Sequence, residues 1–79
     1  MDNRKKYQEV FQNVFGVDET DLNEDFTSDQ VAGWDSVTQM TLITELEDAF
    51  GIMMDTDDIF EFRSYHNGMR ILKKYQVEI

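Results

Sequence analysis

The sequence predicts an all-α fold, a small four-helix bundle with three longer helices, one short helix and a long loop between helices one and two. Two runs of apolar residues recur at helical spacing, and a glycine directly follows each run. The apolar triplet Ile52-Met53-Met54 is too short to tell strand from coil, and nothing elsewhere reads as a partner strand.

The first helix is expected from Asp2 to Phe15. Tyr7, Val10, Phe11, Val14 and Phe15 fall on one face, Asp2 or Asn3 can cap the start, and Gly16 suits the left-handed position after the end. Residues 17–35 form a long polar connection. Leu22, Phe26 and Val31 are spaced to pin it over the bundle, with room for a short helical turn inside it.

A second helix runs from Ser36 to about Phe50, with Asp35 as its N-cap and Gly51 as its stop. Its expected core stripe is Val37, Met40, Ile43, Leu46, Ala49 and Phe50, widened by Leu42. Residues 55–62 read as one or two helical turns, with acids at the start where the helix dipole favours them. Ser64 then caps a last helix whose stripe includes Gly68, Ile71, Leu72 and Tyr75, with Lys73 and Lys74 in its final turn.

A chain of 79 residues fits one domain, 1–79. A chain this short buries only about 60% of its unfolded surface, so the core is small and a walled catalytic cleft is hard to build. The hydrophobic share of 41% and the aromatic share of 13% still argue against disorder. There is no Cys to support disulfides or thiolate metal sites. No apolar run approaches the ~20 residues of a membrane span, and the polar start, residues 1–6, lacks a signal-peptide core. These features predict a soluble, cytoplasmic monomer.

The formal net charge is −10, and its distribution is uneven. All seven bases lie at the ends: Arg4, Lys5 and Lys6, then Arg63, Arg70, Lys73 and Lys74. Such a field repels nucleic acid and anionic membranes and attracts proteins with basic docking patches.

Two enzyme or ion-binding readings fail on their residues. Asp21, Asn23 and Asp25 match the first ligands of a calcium loop, but Phe26 stands where its glycine is needed and Ala32 where its bidentate glutamate is needed. A loop starting at Asp55 fails in the same way, so no metal site is expected. His66 is the sole histidine and has no evident nucleophile partner, which argues against catalysis.

Ser36 sits at a helix start after a long loop. Its hydroxyl is expected to be exposed, and the free amides of the first turn could receive a phosphate attached there. Gly33 would let the chain turn and a partner approach. By position alone, Ser36 would be an ordinary first-turn serine.

The surrounding pattern changes that ranking. Gly33-Trp34-Asp35-Ser36-Val37, followed by Leu42, Leu46-Glu47 and Phe50-Gly51-Ile52, resembles the acyl carrier protein signature. The acidic turn at Asp57-Asp58-Ile59 and the Ser64-capped helix resemble that family's third and fourth helices. The resemblance implies a non-catalytic carrier. A phosphopantetheinyl transferase would attach 4'-phosphopantetheine from coenzyme A to Ser36, beside Asp35, and the arm would hold acyl cargo as a thioester.

It also implies a partner surface. Val37, Met40, Glu47 and Asp48, with Glu45 beside them, would meet acyl-loading and acyl-using enzymes that bear basic patches. Met40, Met53, Met54 and Met69 would suit a core that adapts to cargo. Trp34 would either serve the site, packed beside the arm or docking a partner, or pin the loop to the bundle. Thr38 and Thr41 replace acids usual in carriers of bacterial fatty acid synthesis, and Asp55 replaces a frequent proline, which points to a dedicated pathway. The alternative is an acidic interaction module without a prosthetic group.

Overall fold

The computed structural model describes residues 2–79. Its helices are α1 (Asn3–Phe15), α2 (Ser36–Phe50), α3 (Thr56–Glu61) and α4 (Tyr65–Lys73), with a 3-10 turn at Glu19–Asp21 inside the long loop. No strand forms among the described residues, and the expected all-α architecture stands.

The caps follow the sequence closely. Asp2, Asp35 and Ser64 accept the amides of Lys5, Thr38 and Asn67, each satisfying a donor that a helix start leaves unpaired. Gly16 and Gly51 close α1 and α2 in the left-handed region, at φ 66° and 64°. Gln76 adopts the same conformation at φ 64° after α4, and the turn it makes buries Val77.

α1 and α2 pack antiparallel. Lys6, early in α1, donates from Nζ to the Ala49 carbonyl near the end of α2 at 3.1 Å. Phe15, at the other end of α1, lies 5.1 Å from the Trp34 ring just before α2. The core between them is aromatic: Phe11 touches Tyr7, Phe26, Trp34, Phe62 and Tyr65 with ring centroids 4.9–6.2 Å apart. Such pairs add to the ordinary gain from burial. Tyr7 is wholly buried, and its hydroxyl donates to the Tyr65 carbonyl at 2.6 Å. Burial pushes the Tyr7 hydroxyl well above its ordinary pKa, so it remains a donor.

The long loop is held rather than loose. Phe26 is buried, and Leu22 and Val31 pack half-buried against the core, as the spacing of the three predicts. The Ser28 amide donates to the Arg63 carbonyl and the Tyr65 amide to the Phe26 carbonyl, at 2.7 and 2.9 Å. These bonds stitch the loop to the α3–α4 junction.

At Gly68 the backbone of α4 comes close to aromatic rings. A Cβ there would lie 2.3 Å from both the Phe62 ring and the Tyr7 hydroxyl, so only glycine fits. Gly33 needs no such exemption: its φ is ordinary and a Cβ would meet open space. The turn before Ser36 therefore does not depend on glycine, contrary to the expectation.

Two packing expectations are also corrected. Val37 and Met40 are not core residues; they are 76% and 54% exposed. The buried face of α2 is Gln39, Leu42, Ile43 and Leu46, rotated from the expected stripe. Of the four methionines expected to soften the core, only Met54 is buried, while Met69 is half-buried and Met40 and Met53 are exposed.

Candidate functional site

Ser36 is the first residue of α2, and it is exposed. Its position follows from Asp35, whose extended backbone ends the loop and whose carboxylate accepts the Thr38 amide at 2.8 Å. The amide of Thr38, and then its hydroxyl, hold the Asp35 carboxyl below its ordinary pKa. The Asp35 carbonyl takes the Gln39 amide at 2.8 Å. Among the described residues, the Ser36 and Val37 amides have no backbone acceptor, which is the usual condition of a first helical turn and favours an anion there.

Beside Ser36 opens a groove of about 300 Å³ between the start of α2 and the end of α3. Asp35, Ser36 and Met40 lie on its α2 side, and Ile59, Phe60 and Arg63 on its α3 side. Phe60 is 65% exposed, so the groove has an apolar wall open to solvent. Arg63 donates from Nε to the Phe60 carbonyl at 2.9 Å, which holds its side chain against the end of α3. It is the one base that lines this groove, and it stands just after the base-free middle of the chain.

Trp34 is buried, 7% exposed, and packs against Phe11, Phe15 and Phe26. Of its two expected roles, pinning the loop is the one its packing serves. Its indole N–H donates to the Gln39 side-chain oxygen.

The partner-surface residues do not behave as one group. Val37 and Met40 share an exposed patch of α2 with Thr41 and Glu45, next to Ser36. Asp48 is exposed farther along the helix. Glu47 is half-buried and accepts the Met54 amide through Oε2 at 2.9 Å, so it fastens the segment after α2. His66 is exposed at the start of α4. Among the described residues no group of His, Asp and Glu side chains could hold a metal ion, and no helix is long and apolar enough to cross a membrane.

Sequence reasoning missed Gln39, Ile59, Phe60 and Arg63 as groove residues. For Gln39 a signal existed: it stands on the 39, 42, 43, 46 face, where a polar residue is out of place. Arg63 could have been noted as the base nearest to the acidic middle.

The sequence model of a family described as the phosphopantetheine attachment site matches residues 8–67, from within α1 to the first turn of α4. No curated protein and no solved structure gives a significant match. The family match spans Ser36 and its groove, the whole of α2 and α3, most of α1 and the first turn of α4. The chain belongs to the phosphopantetheine attachment site family, whose members are carriers bearing a 4'-phosphopantetheine prosthetic group.

Proposed function

We propose that Ser36 is the residue that bears the 4'-phosphopantetheine arm, and that the protein carries acyl thioesters to partner enzymes. The observation that carries this reading is the exposed Ser36 hydroxyl at the head of α2, inside the matched region and on the rim of a groove. The residues present fit the group. The amides of Ser36 and Val37, which have no backbone acceptor, and the Arg63 guanidinium supply positive potential near a phosphate on that hydroxyl. When bound, the arm supplies a terminal thiol that holds cargo as a thioester.

The chain's own residues then have separate tasks. Asp35 fixes the helix start and so the position of Ser36. Asp35, the one carboxylate lining the groove with Ser36, is engaged in capping the Thr38 amide, which suits a hydroxyl activated by a separate transferase. Val37 and Met40 offer apolar contact beside the attachment point, and Glu45 and Asp48 offer exposed negative charge to basic patches. Thr38 and Thr41, in place of acids, support a dedicated acyl pathway over general fatty acid synthesis. One hydrophobic cluster draws on the long loop, α1, α2, α4 and the C-terminal segment, which supports residues 1–79 acting as a single domain.

Incubation with coenzyme A and a promiscuous phosphopantetheinyl transferase, followed by intact mass measurement, tests the assignment. The wild type is expected to gain one phosphopantetheine and Ser36→Ala none. A folded wild type that stays unmodified, or a Ser36→Ala variant that is modified, would sink it.

A further inference from the structure

The buried face of α2 begins with a polar residue. Gln39 is 9% exposed and lies directly below the groove that Ser36 borders. Its side chain has every hydrogen-bonding proton in use. The amide nitrogen donates to the carbonyls of Ile59 and Phe62 at 2.8 and 2.9 Å, and the oxygen accepts the Trp34 indole N–H. The two carbonyls belong to the end of α3, where a helix leaves its acceptors unpaired. One side chain therefore joins three elements: the loop before Ser36, the first turns of α2 and the end of α3.

That junction lies across the route an apolar chain would take from Ser36 into the core. Parting α2 from α3 there would break both bonds of the Gln39 carboxamide nitrogen and strand the buried Phe62 carbonyl, while the Ile59 carbonyl would keep only the Phe62 amide, which is costly. Below the junction the space is filled. Phe62 is wholly buried and abuts Tyr7 and the Gly68 backbone, while Leu42 and Ile43 are closed off beside it. Outside the junction, the groove of about 300 Å³ is at the lower end of the range for small-molecule sites. Its walls mix Met40, Ile59 and Phe60 with Asp35 and Arg63.

We infer that Gln39 is a specificity-determining residue that bolts the α2–α3 cleft, keeps long apolar chains out of the core, and leaves short or polar acyl groups in the open groove. The inference rests on Ser36 as the attachment point and adds the class of cargo. Gln39 touches no reacting atom; it acts by positioning the end of α3.

The test loads the arm with butanoyl, octanoyl or dodecanoyl groups from the matching acyl-coenzyme A, then measures Tm and the emission of Trp34, the sole tryptophan. The bolted core predicts a Tm spread below about 2 °C over the three chains, because little of the added chain is buried, and an unmoved emission maximum. A rise of more than about 10 °C from butanoyl to dodecanoyl, the scale expected if the added methylenes enter the core, would overturn it. So would an emission shift that grows with chain length.

Gln39→Leu should gain chain-length dependence in Tm. Trp34→Phe, which removes one bond and keeps an aromatic ring, serves where Gln39→Leu does not fold and should gain a smaller dependence. Folded variants that remain indifferent to chain length would remove Gln39 from the role. A transferase that leaves the protein unmodified counts against Ser36 as attachment point and not against the bolt. In that case Ser36→Cys, the only thiol in a chain without cysteine, is alkylated with iodoalkanes of the same three lengths and read in the same way.

Discussion

The two ends of α2 sit in opposite surroundings. Beyond Gln39 its inner face meets the aromatic core, where Leu42 and Leu46 are wholly buried and Phe11 touches six other rings. At its start, Ser36, Val37 and Met40 face solvent, and the nearest cavity is open. The inner face of the core end is closely packed, so its residues are fixed by volume. The Ser36 end is constrained mainly by backbone hydrogen bonds, so its side chains remain available to an arm or a partner. In a small domain the two demands compete for the same helix, and here they are separated along and around it.

A pair of glycines tests that contrast most severely. Gly68→Ala places a methyl group 2.3 Å from the Phe62 ring and the Tyr7 hydroxyl, neither of which has space to retreat. The expected loss is about 3 kcal/mol, at the upper end for an overpacked core. Gly33→Ala, on the Ser36 side, meets nothing within 4 Å and is expected to change stability by less than about 0.5 kcal/mol. Urea unfolding midpoints for the two variants decide the matter. A comparable loss at both positions would mean that the Ser36 end is packed as closely as the core.

The next effect in size lies between the two ends. Asp58 in α3 is 7% exposed and accepts from Lys74 at 2.6 Å and from the Tyr75 hydroxyl, while the Asp55 amide donates to Tyr75 Oη at 2.8 Å. Lys74, then Tyr75, hold the Asp58 carboxyl below its ordinary pKa of 3.8. A carboxylate with a depressed folded pKa adds stability that is present above its unfolded pKa and is lost as pH falls through the folded value. Asp58→Asn should therefore cost about 1 kcal/mol at neutral pH, since Lys74 is 58% exposed and screened, and should flatten the decline of stability below about pH 4. An unchanged acid limb in the variant would show that other carboxylates set it.

How legible all this was in the sequence depended on whether a feature was local. The stripe of α1, the caps at Asp2, Asp35 and Ser64 and the stops at Gly16 and Gly51 each depend on residues within a turn or two, and each appears where the pattern puts it. The working face of α2 was not local. The expected stripe and the buried set share Leu42, Ile43 and Leu46, and spacing alone favoured extending them with apolar Val37 and Met40 over polar Gln39. The structure chooses the other because Gln39 finds three partners far along the chain or before the helix, which no periodicity could announce. Ser36 was legible only through the ordered features around it. Arg63 reaches the groove through the α2–α3 packing, and the Asp58–Lys74 pair spans α3 to the end of α4.

The smallest expected effect separates acids that look alike in sequence. Glu47 and Asp48 were read together as a docking surface, yet Glu47 fastens the Met54 amide and Asp48 is exposed. Glu47→Gln keeps an oxygen acceptor but weakens a charge-assisted bond, so its cost should appear in stability, at about 0.5–1 kcal/mol. Asp48→Asn combined with Glu45→Gln touches no bond of the fold among the described residues and should leave the unfolding midpoint within error. Its effect should appear in association: kcat/KM for phosphopantetheine transfer to Ser36 falls roughly two- to fivefold at low salt, and the difference fades in high salt as the remaining field is screened. The Glu47 variant should show little salt-dependent loss. Equal transfer rates for the double variant and the wild type at low ionic strength would mean that docking relies on the apolar patch of Val37 and Met40, and that the acids on α2 serve mainly to keep the protein soluble.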